Sequence, residues 1–210
     1  MEVEAIIPSA DQATIELMMP VWTPGSYFVR EFARNLENIT ARTPSGSELI
    51  IESTRKNRWV VKVNRSEPII LSYRVYSHEM SVRTNWVDSD FALVNGAPTF
   101  ITTADLKPRP HDVTVVLPPG WSRSVTALPP TPSGQPHSYR AVNFDTLIDS
   151  PIVVGNPNIY KFTVDETPHY LVNVGEDGIW DGARSAHDVE LIVRQQHQLW
   201  GSIPYDRYVI

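Results

Sequence analysis

Ala13-Thr14-Ile15-Glu16-Leu17-Met18-Met19 alternates, placing Ile15, Leu17 and Met19 on one side and Thr14, Glu16 and Met18 on the other. A period of two belongs to a strand with one buried face. The pattern returns in Trp59-Val60-Val61-Lys62-Val63, from Ile69 to Tyr76, and in Val113-Thr114-Val115-Val116-Leu117. Turn formers separate these runs: Pro24-Gly25, Pro44-Ser45-Gly46, Asn95-Gly96, Pro118-Pro119-Gly120 and the stretch from Pro129 to Gly134. Short alternating runs with such punctuation predict an antiparallel sandwich or barrel. Proline agrees. There are 18 in 210 residues, well above the usual share of about 5%, and proline is disfavoured inside helices and central strands.

The character changes after Pro168. Tyr170-Leu171-Val172-Asn173-Val174 reads as a strand, and a loop rich in glycine and aspartate runs on through Gly182. A helix is predicted from Ser185 to Trp200, with Ser185 and Asp188 as its capping pair and Ala186, Val189, Val193 and Trp200 on one face. Gly201 and Pro204 stop it, and Tyr208-Val209-Ile210 looks like the start of another strand. The reading is therefore mainly β. Residues 1–160 are expected to form an antiparallel β-sandwich domain, and residues 161–210 an incomplete α/β start (strand-helix-strand) of a second domain.

Composition excludes several classes. With no cysteine there are no disulfides, thiolate zinc sites or cysteine nucleophiles. A net charge of −6 without a Lys/Arg cluster argues against nucleic acid. No apolar run approaches the roughly 18 residues of a membrane span, so no membrane partner is expected. The acidic opening Met1-Glu2-Val3-Glu4 does not resemble a signal peptide, which favours the cytoplasm.

Motifs for chemistry are sparse. The histidines are His78, His111, His137, His169, His187 and His197. A zinc-hydrolase helix needs two histidines four apart around a glutamate; His78-Glu79 begins so, but Val82 ends the match. The loop histidines read as surface polar groups, with no metal ligands among them. No Gly-x-Ser-x-Gly elbow and no phosphate loop is present. The acidic pairs Asp88 with Asp90 and Glu176 with Asp177 read as solvated loops rather than calcium sites. No catalytic residue is assigned.

One segment is unusual. From Pro20 to Asn35 the chain packs Trp22, Tyr27, Phe28 and Phe32 with Arg30 and Arg34 around Pro24-Gly25-Ser26. As a bare sequence it reads as a strand ending in a turn whose aromatics fill the sandwich, with a recognition surface as the alternative. Trp22, Pro24, Gly25, Ser26, Tyr27, Arg30 and Arg34 are accordingly given structural roles, the arginines pairing with carboxylates or capping carbonyls.

Trp-x-Pro-Gly-Ser-Tyr, followed by Arg30 and Phe32-Ala33-Arg34, resembles the N-terminal region of the glycyl-aminopeptidase family, gluzincin metallopeptidases often drawn with a C-terminal PDZ domain. Three further stretches resemble family segments in the right order: Asp90–Ala97, Leu147–Gly155 and Leu199–Tyr208. The resemblance covers nearly the whole chain. It implies a parent zinc aminopeptidase that removes small N-terminal residues such as glycine from peptides. Zinc belongs to that parent, and no cofactor is expected here, because the His-Glu-x-x-His helix should lie beyond Ile210. On this reading the chain is a non-catalytic N-terminal piece, inactive alone, that helps to wall the substrate cleft. Its expected partners are the peptide substrate and the remainder of the catalytic domain, with self-association through the C-terminal strand edge.

In related aminopeptidases a loop after one strand of this domain touches substrate. Asn95-Gly96-Ala97 is the equivalent by motif order, and Asn-Gly suggests a tight turn of positive φ with exposed amides. The alternative is a stand-alone β-sandwich module that binds peptides or glycans.

Overall fold

The computed structural model describes residues 1–9, 12–23, 25–63, 67–105, 107–176 and 178–210. Along the chain run β1 (Glu2–Ile7), β2 (Thr14–Met18), a 3-10 turn (Phe32–Asn35), β3 (Leu36–Arg42), β4 (Glu48–Leu49), β5 (Ile51–Arg55), β6 (Arg58–Lys62) and β7 (Ile69–Val75). Next come β8 (Trp86–Val87), β9 (Phe91–Val94), β10 (Thr102–Thr103), β11 (His111–Thr114), β12 (Arg123–Val125) and β13 (Ser138–Ala141). The chain continues with α1 (Phe144–Ile148), β14 (Ile152–Gly155), β15 (Asn158–Val164), β16 (Thr167–Asn173), α2 (Gly182–Trp200) and β17 (Tyr208–Val209).

Two antiparallel sheets, β1-β7-β3-β4 and β10-β2-β6-β5, share one core. The first supplies Ile7, Ala41, Ile69, Leu71, Tyr73 and Val75; the second supplies Ile15, Leu17, Trp59 and Val61. These are the inward positions that alternation assigns, so the fold is mainly β and antiparallel as the sequence predicts. The sandwich proper uses strands only as far as β10. A third sheet, β12-β14-β9-β8, has its own cluster of Ala92, Val94, Ile152 and Val154. Helix α1 closes the main core with Phe144, Leu147 and Ile148, and Asn143 caps it by accepting from Thr146 N.

The expected strand Val113–Leu117 is shorter in the structure. β11 ends at Thr114, although Val115 N still donates to His137 O of the neighbouring segment. The apolar run straddles two cores: Val113 packs on both, whereas Val115 and Leu117 pack on the second.

Beyond β14, strands β15 and β16 pair antiparallel, and β17 joins β16 in parallel with His169 opposite Tyr208. Parallel neighbours need a crossover, and α2 provides it. The helix starts earlier than the sequence suggests. Asp181, not Ser185, is the N-cap, accepting from Arg184 N; Ser185 lies inside the first turn, where its hydroxyl donates to Asp181 O. Gly201, at φ +70°, caps the other end and donates to His197 O. Ala186, Val189 and Val193 pack on Phe162, Val164 and Leu171. Trp200 does not share that face; it is exposed, its indole bonded to Gln196.

His169 corrects the reading of the histidines as surface groups. It is fully buried, with its ring stacked on Phe162 at 4.9 Å. Thr167 O, which only accepts, lies 3.0 Å from Nδ1, so Nδ1 carries the proton and Nε2 accepts from the Tyr205 hydroxyl at 3.0 Å. Desolvation without a compensating charge pulls the imidazole pKa below its ordinary 6.5, and the same cause lowers half-buried His111. The unfolded chain then binds protons that the folded chain refuses. The stability from these residues is whole above about pH 6.5 and is lost as pH falls through the depressed folded pKa values. Urea unfolding is expected to give a lower midpoint at about pH 5.5 than at about pH 7.5, and His169→Phe to shrink that difference. An undiminished difference in the variant would place the effect elsewhere.

Candidate functional site

The turn after β9 is buried, not exposed. Asn95, Gly96 and Ala97 are all buried, Asn95 keeping 6% exposure, and Gly96 does not have positive φ, which corrects the expectation of an open hairpin turn. Thr99 N and Phe100 N both donate to Gly96 O, at 3.1 and 2.8 Å, winding residues 96–100 into a compact turn. Gly96 is required there for closeness. A Cβ at this position would lie 2.7 Å from both Ile148 Cα and Leu147 O of α1.

A polar chain fixes this turn. The Tyr73 hydroxyl, on central strand β7, donates to Thr99 O at 2.8 Å and accepts from Ile101 N at 3.3 Å. The Thr99 hydroxyl donates to Asn95 O at 2.6 Å and accepts from Asn85 Nδ2 at 2.8 Å. Asn85 Oδ1 in turn accepts from Asn95 N at 2.7 Å, and the Asn95 amide donates to Thr84 O. Burial raises the Tyr73 pKa far above its ordinary value, so the phenol stays neutral. Asn85 and Thr99 were invisible to sequence reasoning because nothing local marks a polar residue whose partner lies ten or more positions away.

The aromatic motif lies on the adjoining loop. Arg30 N donates to Val21 O at 2.6 Å and Ser26 N to Thr23 O at 3.0 Å, with Gly25 at φ +75°, so residues 21–23 and 25–30 close on one another. Pro24 lies outside the described residues. The aromatics do not fill the sandwich: only Phe32 reaches the core, whereas Trp22, Tyr27, Phe28 and Val29 are 44%, 80%, 73% and 66% exposed. Trp22 packs on Tyr27 at 5.7 Å. Arg30 donates to Ser26 Oγ at 3.3 Å and sits 5.3 Å over the Phe28 ring, with no carboxylate in reach among the described residues. Arg34 pairs with Glu79 at 3.9 Å.

The two motifs meet through residues 78–85. Glu79, the partner of Arg34, donates its backbone N–H to Asn85 O, and the Thr84 hydroxyl donates to Glu79 O. Asn85 and Thr84 then hold Asn95. Arg34 and Asn95 are thus joined on one rim of the sandwich.

Elsewhere the polar groups are engaged structurally. Asp88 accepts from Asp90 N, Phe91 N and the Trp86 indole, bonds that hold its pKa low, the Phe91 bond foremost. Glu176 accepts from Asn173, Tyr160 and Asn158; Asp177 lies outside the described residues. Ser124 Oγ lies 2.8 Å from His137 Nδ1, the spacing of a nucleophile and its base. The proton inventory excludes that role. Tyr139 OH spends its proton on Ser124 O, so Ser124 must donate to Tyr139 OH and accept from His137 Nδ1–H. Among the described residues no three His, Asp or Glu side chains gather to hold a metal.

Mainly antiparallel sheets with a β-α-β tail define a β-rich chain. Residues 1–156 match the peptidase M61 N-terminal domain, and the chain belongs to that family. Over 99% of its length it also matches the crystal structure of an aminopeptidase N family protein from Idiomarina loihiensis, with 28% identity and a TM-score of 0.88. It spans only 35% of that relative's chain. Legionella pneumophila aminopeptidase A in complex with aspartic acid matches 81% of this chain and 22% of its own, at 12% identity and a TM-score of 0.42. Yeast LTA4 hydrolase in complex with bestatin does so over 81% of this chain and 28% of its own, at 12% identity and 0.39. No curated protein sequence matches.

Gly96→Ala is expected to cost about 1–3 kcal/mol, because α1 backbone must move to admit the methyl. Asn85→Ala should cost about 1–3 kcal/mol by stripping the Asn95 N–H of its acceptor. Urea midpoints check both, and wild-type values would contradict the rim geometry.

Proposed function

We propose that this chain is the non-catalytic N-terminal portion of a zinc aminopeptidase of the glycyl-aminopeptidase type, which removes small N-terminal residues from peptides, and that it walls one side of the substrate cleft. The observation that carries the reading is the family match over residues 1–156, joined to 28% identity with an aminopeptidase N family protein through nearly the whole chain. Among the described residues no donor set for zinc gathers, and no step of the hydrolysis is assigned to them. Their part is to bind and exclude.

Within that wall, Asn95 is proposed to border the peptide groove. What supports this is preorganisation. Bonds from Asn85, Thr84 and Thr99 fix the end of β9, and Gly96 locks it against α1. A rigid rim orients an extended substrate without an ordering cost at each turnover.

The longer gene product is expected to release glycine from glycyl peptides and to lose that activity to a zinc chelator, whereas the 210-residue chain alone shows no turnover. Asn95→Ala in the longer enzyme should lower kcat/KM by about tenfold, equivalent to one lost hydrogen bond of about 1.4 kcal/mol. An unchanged kcat/KM in a folded variant removes Asn95 from the groove. Absence of any aminopeptidase activity removes the reading as a whole.

A further inference from the structure

The loop of residues 21–30 has an unusual construction. Its backbone is closed by two hydrogen bonds, Arg30 N to Val21 O and Ser26 N to Thr23 O, so it is a shaped element. Yet its largest apolar side chains, Trp22, Tyr27, Phe28 and Val29, point away from the core. Scattered exposed hydrophobes need no explanation; four within eight residues of one ordered loop form a patch of the kind that marks an interaction surface.

The cation in the patch is equally unsatisfied. Neighbouring charges are matched: Glu31 with Lys56, Arg34 with Glu79, and Arg58 with Glu16. Among the described residues Arg30 has only the Ser26 hydroxyl and the face of Phe28, and its Nε is enclosed without an acceptor. A guanidinium over an aromatic ring, with both terminal nitrogens free of carboxylate, is built to receive a planar anion beside apolar surface.

Two observations point to the occupant. The Idiomarina relative, which matches this chain over 99% of its length, has roughly two thirds of its own chain outside the match, so in that protein the same fold is accompanied by a large further body. The loop also shares its rim with Asn95 through Arg34, Glu79, Thr84 and Asn85.

We propose that the outer face of residues 21–23 and 25–30 is the seat on which the catalytic body of the same enzyme docks, presenting an apolar hollow for Trp22, Tyr27 and Phe28 and a carboxylate for Arg30. This rests on the reading of the chain as an aminopeptidase wall, and it names the surface that holds the wall in place. An anionic membrane is the less fitting occupant, because the chain carries a net charge of −6 and offers a single unpaired cation here.

The test compares one set of variants in two proteins. In the 210-residue chain, Trp22→Ala, Tyr27→Ala and Phe28→Ala together should leave the thermal midpoint within about a degree, as exposed side chains do. In the longer enzyme the same change should split a single calorimetric transition into two, and should speed proteolytic cleavage between the two portions by at least about tenfold, a loss of about 1.4 kcal/mol in coupling. Arg30→Gln should act likewise and Arg30→Lys less. Unchanged coupling in the longer enzyme overturns the proposal. So does a lowered midpoint in the short chain, which would make the loop part of its packing. Intact coupling with a fall in kcat/KM would make the loop a substrate subsite instead. Sedimentation of the longer enzyme with phosphatidylglycerol vesicles, abolished by the triple variant, would make it a membrane anchor. Because unfolding and cleavage are read without substrate, a failure here is separable from a failure of the aminopeptidase reading.

Discussion

A buried polar group must find a partner or forfeit part of the stability that its burial gave. One end of this molecule is organised around that constraint. Tyr73 is placed inside by the alternation of β7, so its hydroxyl has to be satisfied from within, and the turn after β9 provides the partners at Thr99 O and Ile101 N. From there the obligation passes through Thr99 to Asn95 and Asn85. A central strand thus dictates the shape of a turn some twenty-five residues downstream, and the turn dictates where the neighbouring rim sits.

The sandwich itself was legible because its signal is local. Ile15 and Leu17 in β2 with Met19 just beyond it, Trp59 and Val61 in β6, and the odd positions of β7 declare an inner face by spacing alone, and all are buried. The helix was legible for the same reason, apart from its start. Ser185 looked like a cap from residue type, but Asp181 has the free geometry, and Gly182 is admitted because any Cβ there would strike the Tyr160 ring and the Glu176 carboxylate. That contact links a strand, a loop and the helix, which a one-dimensional pattern does not encode.

The rim failed in both directions, and for one cause. Asn95-Gly96 has the composition of an exposed turn yet is buried, because Gly96 is small enough to lie against α1. Trp22, Tyr27 and Phe28 have the composition of a core yet face outward. Side-chain chemistry predicts burial only when an element's period says which way it faces, and loops have no period. A motif marks these positions in the chain; their solvent exposure is set by the tertiary fold.

Strand β17 illustrates how chain order and spatial order part company. It pairs with β16 across the whole of α2, so the edge of β16 that it covers stands open until some thirty-five further residues have been made. During vectorial synthesis the β15–β16 hairpin forms early and alone. Its late companion is then the natural place for a nascent chain to mispair with its neighbour on the same messenger.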